Sequence, residues 1–224
     1  MISKFRIGAL VIILNFFASV AMIWGQDNPS LLQMAVPSLN IAPDARGGGM
    51  GDMGAATLPD INSQYWNAAK YAFMGSKAGV SLSYTPWLRK LVNDVALVNM
   101  TGYYKLGNSD LQAISASLRY FSLGEVNIWE NIGDVPYGLN PYEMAFDVAY
   151  SRKLSESYSM AVTLRYIRSD MGTDQNDESN AGNAFSADIS GYLEKYVLMG
   201  NAEALWSFGF NLPYRGNDNR YHAY

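Results

Sequence analysis

The chain has 224 residues with a formal net charge of -4, from 16 Lys and Arg against 20 Asp and Glu, and it contains no Cys. Its charges are interspersed, so the sequence offers no basic surface for nucleic acid, and without Cys it cannot form a disulfide framework. Aromatic residues make up 13% of the chain and Tyr alone numbers 16. Membrane β-barrels with aromatic girdles share this composition, as do Tyr-rich soluble β-sandwiches.

The first residues carry a targeting signal. Lys4 and Arg6 precede an apolar run over residues 7–24, which ends without stop-transfer charges. This pattern is typical of a secretory signal peptide, so we predict that residues 1–25 are removed from the mature chain. No later apolar stretch is long enough for a transmembrane helix, so a membrane form of this protein must be a β-barrel.

The next region lacks any strand pattern. Residues 42–74 are rich in Gly, Asn and Asp and show no two-residue period. The glycine run at 47–51 resembles a phosphate-binding loop only superficially, because no Lys-Ser or Lys-Thr pair follows it, and close backbone packing is the simpler explanation. We predict that residues 26–75 form an N-terminal extension and a Gly-rich hatch, or plug, that buries Tyr65, Trp66, Tyr71 and Phe73 inside or beneath the barrel.

From residue 76 onward, large apolar residues alternate with small or polar ones. In residues 144–168, Met144, Phe146, Val148 and Tyr150 form one such series, and the alternation resumes after a Ser-Glu-Ser break. A period of two marks strands with one apolar and one polar face. We predict seven strands, at about 77–85, 94–106 and 111–123, two in the hairpin of 144–168, and at about 184–196 and 202–212.

The connections between these strands alternate in length. Those at 107–110, 155–157 and 197–200 are short, whereas 124–141 and 170–183 are long. Short turns at one end and long loops at the other are typical of outer-membrane barrels. We therefore predict an all-β transmembrane barrel with an N-terminal hatch. Seven strands, with an eighth beginning at 221–224, leave sheet edges open, so we expect residues 76–224 to be the N-terminal part of a longer barrel.

Four charged residues fall on the polar side of four successive strands, with alternating sign: Arg119, Asp147, Arg165 and Asp188. If Leu154 pairs with Tyr158 across the turn, Asp147 lies directly opposite Arg165. This charge ladder could set selectivity or docking in the lumen, or it could simply compensate charge and hold the register. An exposed pair of this kind contributes only about 0 to 1 kcal/mol.

The sequence contains no convincing catalytic or metal-binding constellation. His222 is the sole His, so no Ser-His-Asp triad and no His-rich metal site can form. The acidic residues at 170–178 lack calcium-loop spacing, and nothing fixes the separation of the carboxylates at 125–134. We therefore predict no enzymatic activity, no cofactor and no metal.

Large apolar residues near strand ends are better functional candidates. Aromatic residues and Arg are common interface anchors, and we predict a partner-binding role for those in two outer connections; the alternative is a headgroup girdle or loop packing. The candidate residues are Trp87, Leu88, Arg89, Ile128 and Trp129.

Four blocks of sequence give a resemblance to a known family: RGGGMGDMGAAT at 46–57, NSQYWNAAKYAF at 62–73, SYTPWLRKLVND at 83–94 and SLRYFSLGEV at 117–126. Together they resemble the PorV (LptO) family of the type IX secretion system of Bacteroidetes, which is similar in fold to the FadL transporters. The resemblance implies a multi-pass barrel in the cell outer membrane, with fourteen strands when complete and a hatch, of which this chain carries seven or eight strands.

The resemblance also implies a non-enzymatic role in protein transport. Members would bind the C-terminal signal domain of secreted cargo and shuttle it from the SprA-type translocon to the surface attachment complex of the PorU sortase, PorZ and PorQ. The alternative is a FadL-type transporter of long-chain fatty acids or other hydrophobic small molecules. The inward residues, mainly Ser, Ala, Thr and charged residues, favour the first reading. A structural barrel without a client is the third.

Overall fold

The computed structural model describes residues 36–87, 94–107, 110–128, 137–173, 179–199 and 202–215. The chain divides into the units Met1–Ala35 and Val36–Tyr224, and every described residue belongs to the second unit. The signal peptide predicted at residues 1–25 and the strand predicted to begin at 221–224 lie outside the described residues.

Most of the described chain is β-strand, because long runs of alternating apolar and polar residues favour extended backbone. Seven strands form one antiparallel sheet, in which each strand is hydrogen-bonded to the next long strand along the chain, and the two short strands β4 and β5 pair separately. The strands are β1 Ala78–Pro86, β2 Val95–Leu106, β3 Gln112–Leu123, β4 Val126–Ile128, β5 Tyr137–Leu139, β6 Tyr142–Lys153, β7 Tyr158–Thr173, β8 Ser179–Met199 and β9 Ala202–Arg215.

The seven long strands match the seven predicted ones, which confirms the all-β fold. The predicted long connections were partly wrong. β4 and β5 form a hairpin within 124–141, and β7 and β8 continue through most of 170–183. Backbone pairing extends past the apolar residues because the ladder hydrogen bonds do not depend on side chains. The ladder between β7 and β8 shifts register only between Asp170 and Thr173.

The two faces of the sheet differ sharply in exposure. On the outer face, Leu82 is 71% exposed and Phe185 is 75% exposed, whereas on the inner face Thr101 and Asp188 are each 2% exposed. This polarity is the reverse of that of a soluble sheet, and an apolar face of this size needs a partner or a lipid environment. It is the polarity of a membrane barrel.

Helices account for little of the structure. Among the described residues, no helix is long and apolar enough to cross a membrane. Four short helices lie in what we call the N-terminal segment, residues 36–75: two 3₁₀-helices at Pro37–Asn40 and Ala68–Phe73, and two α-helices at Ala45–Gly49 and Ser63–Trp66.

The N-terminal segment lies on the polar inner face and contacts all seven strands of the sheet. Because the first and the last strand both touch this short segment, the sheet must curl around it. The contacting residues, from β1 to β9, are Ser83, Tyr103, Arg119, Glu143, Ser159, Gly191 and Ser207.

Glycines in this segment make room for one tryptophan. A Cβ atom at Gly54 would lie 2.1 Å from the ring of Trp66, and one at Gly47 would lie 2.7 Å from it. Asp44 caps the helix that contains Gly47, accepting a hydrogen bond of 2.8 Å from the Gly47 amide, and also accepts one of 3.4 Å from the Trp66 indole. Gly47 and Gly54 therefore serve close packing, whereas Gly48, Gly49 and Gly51 have open space around them.

Candidate functional site

The inner face carries a buried cluster of three charges. Arg165 Nε donates to Asp147 Oδ1 at 2.7 Å, and Arg165 Nη1 lies 3.4 Å from Asp188 Oδ2. The pairing of β6 with β7 sets Asp147 directly opposite Arg165. Ser117 donates to Asp147 at 3.1 Å, and Ser186 donates to Asp188 at 3.2 Å. One guanidinium thus compensates two carboxylates, and serine hydroxyls satisfy their other oxygens.

Arg119, the fourth residue of the predicted ladder, binds the N-terminal segment. Its Nη1 donates to the main-chain oxygens of Ser38 at 2.9 Å and Ile41 at 3.2 Å. The guanidinium also lies over the ring of Tyr65, 4.4 Å from its centroid, and the Tyr65 hydroxyl donates to Leu39 O. The structure therefore brings Asp147, Arg165 and Asp188 together and directs Arg119 to the main chain of the segment.

Sequence reasoning missed Glu143, which completes this attachment. Glu143 is 1% exposed, and its Oε2 accepts a hydrogen bond of 3.0 Å from the Ser38 amide. Ser38 is thus held on both sides, with its amide on Glu143 and its carbonyl on Arg119. We call Glu143, Ser38 and Arg119 the clamp. The only sequence signal was that Glu143 shares the inward parity of Asp147 on β6.

A second attachment involves the C-terminal part of the N-terminal segment, which precedes β1 in sequence. Asn67 and Lys70 are fully buried. The Asn67 amide group donates to Gly191 O on β8 at 2.9 Å and to Ala55 O at 3.0 Å. Lys70 Nζ donates to Gly54 O at 2.8 Å, and burial lowers the pKa of Lys70 to about 8, although the charge of Asp60 acts in the opposite direction.

The loop between these attachments lies close against β9, the last described strand. A Cβ atom at Gly209 on β9 would lie 1.9 Å from Ala55 O. Nearby, Ser207 Oγ donates to Ala56 O at 2.6 Å. β9 therefore needs glycine at this position to accept the segment.

Of the predicted partner-binding residues, the structure describes only part. Trp87 directly follows β1 and is 39% exposed, and its amide donates to Val95 O at 2.9 Å. Ile128 ends β4 and pairs with Tyr137. Leu88, Arg89 and Trp129 lie outside the described residues, as does His222.

The described residues contain no group of three or more His, Cys, Asp or Glu placed to hold a metal ion. Asp147 and Asp188 are instead paired with Arg165 and serine hydroxyls, and Glu143 accepts a main-chain amide through Oε2. What this arrangement does chemically is bind main-chain groups and fix the N-terminal segment to the sheet.

Comparison with known families identifies one match. The family model for PorV, the type IX secretion system protein PorV, matches residues 25–223, which is nearly the whole chain. A search of curated proteins gave no match. The family match confirms the resemblance drawn from the four sequence blocks.

Proposed function

Since the chain belongs to the PorV family of type IX secretion system proteins, we propose that it is an outer-membrane protein that binds the C-terminal signal domains of secreted cargo. It would receive cargo from the SprA-type translocon and deliver it to the attachment complex of PorU, PorZ and PorQ. The observation that carries the proposal is the two-faced sheet, with its apolar face outward and its polar face against the N-terminal segment.

Because the N-terminal segment covers the inner face, we place cargo binding at the rim, the end of the sheet where the connections after β1 and β4 begin. The N-terminal segment contacts every strand of the sheet, so a folded cargo domain has little inner surface to bind. The rim residues proposed for this role are Trp87, Leu88, Arg89, Ile128 and Trp129. Exposure of Trp87 supports its inclusion, because large aromatic side chains are frequent interface anchors.

The proposed domain organisation follows the same argument. Residues 1–25 are the signal peptide, residues 26–75 hold the hatch, and residues 76–224 supply the first part of a fourteen-stranded barrel. The contacts of the N-terminal segment from β1 to β9 support a hatch that fills the curve of the sheet.

Gene deletion tests the function. Without the protein, secreted proteins that carry the C-terminal signal should accumulate in the periplasm with the signal uncleaved, and the wild-type gene should restore secretion. Trp87→Ala and Trp129→Ala should reduce cargo pull-down, whereas Trp206→Ala, on the outer apolar face, should not. Normal secretion in the deletion strain would refute the proposal.

Membrane placement has its own test. Leu164 is 63% exposed in the middle of the outer face, whereas Asn183 is exposed near the start of β8. An Arg at the centre of a barrel's lipid face costs about 2–4 kcal/mol, and one near the interface costs about 0–1 kcal/mol. Leu164→Arg should therefore lower the unfolding free energy in phosphatidylcholine vesicles more than Asn183→Arg. Equal effects would contradict a lipid-facing surface.

A FadL-type transporter is the second candidate. Two exposed apolar side chains on the N-terminal segment favour it, Met53 at 61% and Leu58 at 50%, because they would suit a hydrophobic ligand. Lost fatty acid uptake with normal secretion in the deletion strain would favour this candidate over cargo binding.

A further inference from the structure

Arg168 differs from Arg165 on the same strand because it lies on the outer face, where it is paired with Asp170 at the end of β7. Val162, Leu164 and Tyr166 are the outward residues before it, and Arg168 continues this series. It lies at the end of the sheet where the longer connections meet, and its side chain is 35% exposed. In a membrane barrel this is the height at which lipid headgroups contact the protein.

The guanidinium is held in place by its neighbours. Arg168 Nε donates to the Tyr142 hydroxyl at 3.2 Å, and Nη2 donates to Asp170 Oδ2 at 3.4 Å. Beside it, the Tyr166 hydroxyl donates to Asn183 Oδ1 at 2.7 Å. A guanidinium has five N–H donors and binds phosphate oxygens well, so this exposed side chain has further donors to offer a ligand.

An apolar groove begins at Tyr166, the next outward residue of β7 from Arg168 toward the middle of the sheet. Its volume is about 430 Å³, and large outward side chains line it, including Phe146, Leu164, Tyr166 and Phe185. The groove exists because Ala187, paired with Leu164, is small. From Leu164 to Arg168 the strand spans about 13 Å, so a cation and an apolar groove lie within the reach of one amphiphilic molecule.

We propose that Arg168 and this groove form a binding site for a phosphate-bearing membrane lipid, with the phosphate at Arg168 and one acyl chain over Ala187. Charge complementarity at the headgroup height and apolar walls below it select a lipid over a free phosphate ion. The proposal rests on the membrane placement argued above.

A second depression on the outer face provides an internal control. It has a volume of about 500 Å³ and lies over Gly102 and Ala116. The cross-strand neighbours at the height of Arg168 on these strands are Val98 and Tyr120, which carry no positive charge. This depression can hold an acyl chain, but it offers no cation for a phosphate.

Native mass spectrometry of the whole protein tests the site. Detergent-solubilised protein is titrated with phosphatidylglycerol and with a monogalactosyl diacylglycerol that carries the same acyl chains. One Arg near an anionic headgroup contributes about fivefold in affinity, so phosphatidylglycerol should be retained about fivefold better. Arg168→Gln should abolish this preference, and Arg46→Gln, at an exposed Arg of the N-terminal segment, should not.

The groove is tested separately. Ala187→Leu should remove the phosphatidylglycerol preference, because it displaces the acyl chain beside Arg168, whereas the matched Ala116→Leu should leave the preference unchanged. Arg168→Lys, which keeps the charge, covers the case in which Arg168→Gln fails to fold. A wild-type protein without the preference, or two leucine variants that change the preference equally, would overturn the site. Failure of the wild-type protein to insert into vesicles would count against the proposed function instead.

Discussion

Removing Arg165 should destabilise the protein strongly, because this side chain is the shared partner of two buried carboxylates. Asp147 and Asp188 have side chains only 9% and 2% exposed, and each lies within 3.4 Å of the guanidinium. Breaking a buried ion pair by removing one partner costs about 3–5 kcal/mol, since the remaining charge is left without compensation. We expect Arg165→Leu to lower the unfolding free energy by this amount.

The carboxylates should be less sensitive. Asp147→Asn leaves Arg165 paired with Asp188 and can still accept the hydrogen bond from Ser117, so we expect a loss of about 1.5–3 kcal/mol, the range for a hydrogen bond to a charged group. Neutralising all three residues removes the unpaired charge altogether. The triple variant Asp147→Asn, Arg165→Leu, Asp188→Asn should therefore recover most of the stability lost in Arg165→Leu.

Urea titration of the protein in phosphatidylcholine vesicles, followed by tryptophan fluorescence, measures these differences. Arg152→Leu is the matched control, because Arg152 is exposed and an exposed substitution should change the unfolding free energy by less than about 0.5 kcal/mol. The reasoning is refuted if Arg165→Leu resembles this control, or if the triple variant is as unstable as the single one.

Two further predictions concern the N-terminal segment. Gly209→Ala places a Cβ against Ala55 O and should expose residues 54–57 to protease, whereas Gly49→Ala, with open space around it, should not. Lys70 has a pKa of about 8 against an ordinary 10.5, so the unfolded state binds more protons between these values and stability should rise with pH across that window, by about 3 kcal/mol. Lys70→Met should remove this rise, which is measured in each protein as the change in unfolding free energy from pH 7 to pH 11. An unchanged rise in the variant would show that another group titrates.

The strands of this protein could be predicted from sequence because membrane barrels separate the two faces by residue parity. The alternation around Met144 and Phe146 identified the apolar face of β6 directly. The three-residue turn after Leu154 also fixed the register, since Leu154 N donates to Tyr158 O and the ladder follows from there. Local pattern and turn length together determine which side chains face each other.

The attachment of the N-terminal segment could not be predicted in the same way. The clamp joins Glu143 to the amide of Ser38, 105 residues away, and Arg119 to the carbonyl of the same residue. Main-chain groups are present at every residue, so no side-chain pattern marks Ser38 as the partner. Gly209 gave an equally weak signal, because its contact with Ala55 O arises from the absence of a side chain.

These contacts explain how one short segment can cover the polar inner face of the sheet. Without hydrogen-bond partners, burying that face would cost free energy. The Ser38 amide donates to one oxygen of Glu143 and main-chain carbonyls accept from Arg119, while Ser83 and Ser159 donate to the main-chain oxygens of Pro43 and Ala69. A polar group that is buried without a partner costs more than its hydrogen bond contributes. The inner face therefore stabilises the fold only while the segment is in place, and several main-chain groups of the segment find their side-chain partners on this face. Sheet and segment thus depend on each other, so we expect them to fold as one cooperative unit.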